Sequence, residues 1–149
     1  MVLVGIDPGL KTGVCAWDTK LKKIVFIKTM DFWEVIDYFS QMKHTSDVTN
    51  QQVKAVIENS ALNKPTFVKP GGNTNLKMQK ISRNVGSNQR ESVLLIEGVR
   101  RLGFSVEEIR PTGKHGVKRK WSAEYFEKLT GISKASQHAR DAAMLVFGR

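Results

Sequence analysis

Three acidic residues stand where acids are costly to place. Asp7 ends an apolar run, Met1 to Ile6, and leads straight into Pro8-Gly9; Glu58 ends a second such run, VKAVIE; Asp141 lies in the first turns of the last helical segment. His138 precedes Asp141 by three residues and so shares its helix face. A carboxylate at the end of a buried strand costs desolvation energy unless something positive meets it. Several converging acids repel one another, so together they call for a cation. Oxygen donors suit Mg²⁺, which binds through a few carboxylates and keeps waters and phosphate oxygens. Two such ions about 4 Å apart can activate a water and stabilise the leaving oxygen in phosphodiester hydrolysis. An imidazole from His138 widens the choice to Mn²⁺. Taken singly, each residue has a plainer use: Asp7 can serve only its turn, Glu58 can pair with a lysine, and His138 can be a surface residue. Only the joint pattern points to chemistry.

The elements that must position these groups follow from periodicity. Val2 to Asp7 and Gly13 to Asp18 read as strands joined by a Pro-Gly turn, and Lys23 to Lys28 reads as a third strand. Short connections make these three an antiparallel meander. Asp31 caps a helix in which Phe32, Val35, Ile36 and Phe39 recur at helical spacing, ending near Lys43; His44 to Gln52 reads as a connector. Val53 to Glu58 is a fourth strand, apolar enough to be central. Asn59 to Asn75 reads as a long loop, of the kind that is usually functional in a compact domain. A helix is expected from Met78 or Ser82 to Leu102, with Val85, Val93, Ile96, Val99 and Leu102 as its stripe and Gly103 ending it. Phe104 to Ile109 is a fifth strand. Ser122 caps a helix with Tyr125, Phe126 and Leu129 expected inward and Gly131 as its stop. Ser136 caps the last helix, whose Ala139, Ala142, Ala143 and Val146 form a face able to approach a sheet closely. The order βββαβαβαα implies an α/β fold: a mixed sheet with helices on its faces.

Charge is unevenly spread. The chain of 149 residues has 24 Lys and Arg against 14 Asp and Glu. Residues 59–90 hold Lys64, Lys69, Lys77, Lys80, Arg83 and Arg90 without an acid, and residues 110–120 hold Arg110, Lys114, Lys118, Arg119 and Lys120, again without one. Those eleven leave 13 cations against 14 acids elsewhere. A surplus confined to two stretches is what a phosphate-binding face requires. Both stretches adjoin an acid in sequence: the first follows Glu58, the second precedes the segment carrying His138 and Asp141. Phosphate contacts position a nucleic acid without reading its bases. The length suits one domain over residues 1–149. No run is long enough to span a membrane, and the lone Cys15, among apolar neighbours, reads as a buried thiol in a reducing, cytoplasmic compartment, of a bacterium or of the host of a phage.

GIDPGLKTGVCAWD, a strand ending in Glu58, and His138-Ala139-Arg140-Asp141-Ala142-Ala143 in the final helix together resemble the RuvC family of Holliday junction resolvases, within the ribonuclease H-like superfamily. The resemblance covers nearly the whole chain in element order; the compact length suits a phage or prophage type. It implies a five-stranded mixed sheet with the first three strands antiparallel, a homodimer, and resolution of four-way DNA junctions by paired nicks with Mg²⁺ or Mn²⁺. By the same resemblance Asp7, Glu58 and Asp141 are metal ligands. His138 falls where many members have an acid and some a histidine, so it either binds metal or serves as acid or base. Members often carry an aromatic residue just after the second acid, but here Ala61 and Leu62 follow Glu58. Phe67 is the nearest candidate wedge at the junction centre. The DNA-binding set expected is Lys64, Phe67, Lys69, Lys77, Lys80, Arg83, Lys114, Lys118, Arg119 and Lys120, and the first candidate dimer interface is the helix ending at Leu102.

Three other readings stay open at this level. One is a nuclease of the same fold acting on RNA–DNA hybrid or structured RNA. Another is an actin-like nucleotide-binding module, which needs two lobes where this length supplies one. The third is an inert nucleic-acid binder, which gains nothing from three acids so placed.

Overall fold

The computed structural model describes residues 1–63, 75–111 and 120–149, with the backbone alone at 75–78. The chain runs β1 (Val2–Asp7), β2 (Thr12–Asp18), β3 (Lys23–Met30), α1 (Phe32–Thr49), β4 (Val53–Glu58), a 3₁₀ turn (Ser60–Leu62), α2 (Asn75–Arg101), β5 (Ser105–Ile109), α3 (Ala123–Thr130) and α4 (Gln137–Val146). The strands form one sheet in the order β3-β2-β1-β4-β5. β1 pairs antiparallel with β2, and β2 with β3; β4 runs parallel to both β1 and β5. This is the ribonuclease H-like arrangement, a mixed five-stranded sheet with a meander at one side.

Strand periodicity decides which side chains meet which helices. Val2, Val4 and Ile6 of β1, Val14 and Ala16 of β2, and Ala55 and Ile57 of β4 join a core with Phe39 of α1 and Leu95 and Val99 of α2. The alternate residues, Leu3, Cys15, Trp17 and Val56, pack on the other face with Phe126 of α3 and Ala142, Ala143 and Val146 of α4. Asp7 and Glu58 share the parity of Leu3 and Val56, and so belong to the face that α4 covers. Burial pushes the Cys15 thiol up to about 12, so it acts as a small apolar side chain.

Two glycines let α4 lie directly on the sheet. A Cβ at Gly5 would overlap the Ala142 carbonyl, and one at Gly13 would overlap that of His138. Both sit mid-sheet, where glycine otherwise weakens a strand. The alanines of α4 are the matching half of this contact, each at most 2% exposed.

Three helices depart from the sequence expectation. α1 continues through the segment read as a connector, to Thr49, and ends at Asn50 in the left-handed region. No apolar residue is needed in turns that face solvent: Lys43 pairs with Asp47 at 2.8 Å, and the Thr45 and Thr49 hydroxyls bond carbonyls four residues back. α2 begins earlier than expected, at Asn75. Its Val85 and Val93 are 44% and 37% exposed, because only the C-terminal turns, with Leu95, Ile96 and Val99, reach the sheet. In α3 only Phe126 is buried; Tyr125 and Leu129 face outward. The caps fall where expected: the Asp31, Ser122 and Ser136 side chains each accept the backbone N–H three residues on. Among the described residues no helix is long and apolar enough to cross a membrane.

Candidate active site

β1 and β4 are parallel neighbours with Ile6 opposite Ile57, so their next residues, Asp7 and Glu58, leave the sheet side by side. Each exit is fixed. Thr12, buried, donates from Oγ1 to the Gly9 carbonyl at 2.9 Å and closes the turn after Asp7. Asn59, also buried, donates its N–H to Ile109 O at 2.8 Å and its side-chain amide to Glu108 at 2.6 Å, while its Oδ1 accepts from Ala61 N–H. α4 then crosses the same face and brings Asp141. Asp7, Glu58 and Asp141 line one cavity of about 320 Å³, together with Lys120 and Arg110.

The electrostatics follow from this grouping. Burial raises the Asp7 carboxyl above its ordinary value; the hydrogen bond from His138 opposes this and the charge of Asp141 adds to it. Glu58 is pushed up to about 7, first by burial and then by the charges of Asp7 and Asp141, with Lys120 opposing. His138 lies with Nδ1 3.1 Å from Asp7 Oδ2, so its Nδ1–H tautomer donates to that carboxylate and leaves Nε2 free of it. Asp141 is engaged at both oxygens: Oδ2 accepts from Lys120 Nζ at 2.8 Å and Oδ1 from the Gln137 amide at 2.7 Å.

In chemical type the donor set fits a divalent cation. Three carboxylates share one cavity, and two of them are held above their ordinary values by burial and mutual repulsion, a cost that a hard cation relieves. As the side chains stand, no three His, Cys, Asp or Glu groups among the described residues gather around one point. Asp141 is turned to Lys120 and Gln137, and Asp7 to His138.

Of the basic residues expected on DNA, Lys80 and Arg83 are exposed on α2. Lys120 points to the acids rather than away from them. Lys64, Phe67, Lys69, Lys114, Lys118 and Arg119 lie outside the described residues, as does the Lys77 side chain. Sequence reasoning missed four contributors. Gln137 holds Asp141, and its signal is the i, i+4 spacing. Arg140 donates from Nε to the Trp121 carbonyl at 3.0 Å and from its guanidinium to Gln137 Oε1 and the Ala135 carbonyl, tying the segment before α3 to α4. Gly5 and Gly13 set how deep α4 sits, and their signal is glycine inside an apolar strand.

No family model matches the sequence, and no curated protein matches it. Among solved structures, that of Thermus thermophilus RuvC is similar over 99% of this chain and 92% of that one, at 17% identity and a TM-score of 0.48.

Proposed function

We propose that the protein is a metal-dependent endodeoxyribonuclease that resolves four-way DNA junctions by paired phosphodiester hydrolysis. The observation that carries this reading is the delivery of Asp7, Glu58 and Asp141 into one cavity by β1, β4 and α4. Asp7, Glu58 and Asp141 would hold Mg²⁺ or Mn²⁺, with His138 adjoining through Asp7. Bound there, divalent ions supply an activated water and stabilise the leaving oxygen. The chain's own residues do the rest. The sheet holds Asp7 and Glu58 rigidly, so little is lost in orienting them as substrate arrives. His138, oriented by Asp7 at Nδ1, offers Nε2 to accept or return a proton. Lys80 and Arg83, with the basic stretches at 59–90 and 110–120, supply the cations that draw in a branched polyanion. Paired nicks need two copies of the site, and we place the dimer contact on the outward face of α2, where Ile81 and Val85 are 48% and 44% exposed one turn apart.

The test compares metal-dependent cleavage of a four-way DNA junction, a linear duplex and an RNA–DNA hybrid. Symmetric nicking of the junction in preference to the duplex supports the reading. Preferred cleavage of the hybrid would replace it with a ribonuclease of the same fold.

A further inference from the structure

Lys120 sits in the acidic cavity in a way that a phosphate-binding surface lysine would not. Its side chain is 71% exposed, whereas the Asp141 side chain that it contacts at 2.8 Å is 14% exposed, so the lysine reaches inward from solvent and covers a largely hidden charge. Its charge is also attracted by Asp7 and Glu58. The approach is built into the fold: Arg140, the neighbour of Asp141 in α4, binds the carbonyl of Trp121, the neighbour of Lys120. One residue of α4 therefore fixes the backbone from which the ammonium enters, and the next receives it. Lys120 also lines a second cavity with Trp121, Ser122 and Tyr125. The flexible stem can swing toward that rim without moving the anchored backbone.

We infer that Lys120 is an internal counter-ion of the acidic cleft, whose ammonium competes with a divalent cation for Asp141 and must withdraw before that cation binds. The inference rests on the reading of Asp7, Glu58 and Asp141 as metal ligands. The site's affinity for metal is then its intrinsic affinity reduced by the fraction of molecules in which Asp141 is free of Lys120. A DNA phosphate offers the displaced ammonium a new partner. Linkage then requires that phosphate raise the affinity for metal and that metal raise the affinity for phosphate by the same factor. Such a device keeps the cleft neutralised without substrate and readies it for metal when a strand arrives.

The test is Mn²⁺ titration of the full chain by calorimetry and by the electron paramagnetic resonance of free Mn²⁺, without DNA. It compares wild type, Lys120→Met, Arg110→Met and Glu58→Gln. Lys120→Met removes the charge and keeps most of the stem. It should bind Mn²⁺ about fivefold more tightly, the factor by which a competitor worth one good ion pair weakens binding. It should also melt earlier than wild type in chelator and gain more from Mn²⁺. Arg110 lines the same cavity and, among the described residues, bonds no acid, so Arg110→Met should change affinity by less than about twofold, a screened charge effect only. Equal or weaker Mn²⁺ binding by Lys120→Met while wild type binds and Glu58→Gln does not would overturn the inference and leave the metal reading standing. An equal gain in both charge-removing variants would overturn it too. No Mn²⁺ binding by any variant, or unimpaired binding by Glu58→Gln, would defeat the metal reading itself and the inference with it.

Discussion

Gly13 of β2 and His138 of α4 meet backbone to backbone: a Cβ at Gly13 would overlap the His138 carbonyl and lie 2.8 Å from the Ala139 nitrogen. This contact sets the height of α4 above the sheet, and with it the reach of His138 and Asp141 toward Asp7. Gly13→Ala must lift the helix or bend the strand. It is expected to cost about 1–3 kcal/mol or more by overpacking and to abolish cleavage even where the variant folds. Gly86, inside α2, is the control: an added Cβ there would meet none of the described residues within 4 Å, so Gly86→Ala should stabilise by up to about 1 kcal/mol through helix propensity. Urea denaturation of both variants, with cleavage assays alongside, measures the difference.

Glu58 makes stability depend on pH. Its proton is held more tightly in the folded protein than in the unfolded chain, where it titrates near 4.5, because burial and the neighbouring acids raise it to about 7. The stability that Glu58 contributes is therefore fully present below about 4.5 and declines as pH rises toward 7. In chelator, melting temperature should fall across that window by about 2–4 °C, which allows for partial solvent screening at the cavity mouth. Glu58→Gln should flatten this contribution and melt higher than wild type at pH 7. Thermal melts at several pH values check both.

Affinity for a junction should depend steeply on salt. If about five lysines and arginines each neutralise one phosphate, raising monovalent salt from 50 to 200 mM should weaken binding about 10²- to 10³-fold. Gel-shift titrations at several salt concentrations give the slope. A slope near zero would remove the basic stretches from the account. Lys80→Ala and Arg83→Ala should each flatten the slope by about one unit without altering substrate preference.

The meander, the order of elements and the three acids were legible because strands with short turns, caps and apolar period leave local marks. Ser122 and Ser136 are caps that sequence alone places correctly. The parity that puts Asp7 and Glu58 on one face is legible too, once β1 and β4 are taken as neighbours. The solvent-facing turns of α1 at residues 44–49 were not legible, because a helix held by ion pairs and backbone bonds needs no apolar stripe. Val85 fits the stripe of α2 by spacing, yet stays exposed because the sheet ends before that turn. Lys120 was the least legible. Composition places it among cations suited to phosphate, whereas its partner Asp141 is 21 residues away in sequence and is met through a tertiary contact, beside the one that Arg140 makes to Trp121.

The central claim is that Asp7, Glu58 and Asp141 act together on a DNA phosphodiester. Its most direct test is single-turnover cleavage of a synthetic four-way junction in Mg²⁺, comparing wild type with Asp7→Asn at matched junction binding. The account predicts paired symmetric nicks by wild type. For Asp7→Asn it predicts a rate lower by about three orders of magnitude or more, the scale on which essential catalytic groups act, with affinity for the junction retained. Cleavage by Asp7→Asn at a rate within a few-fold of wild type would contradict it.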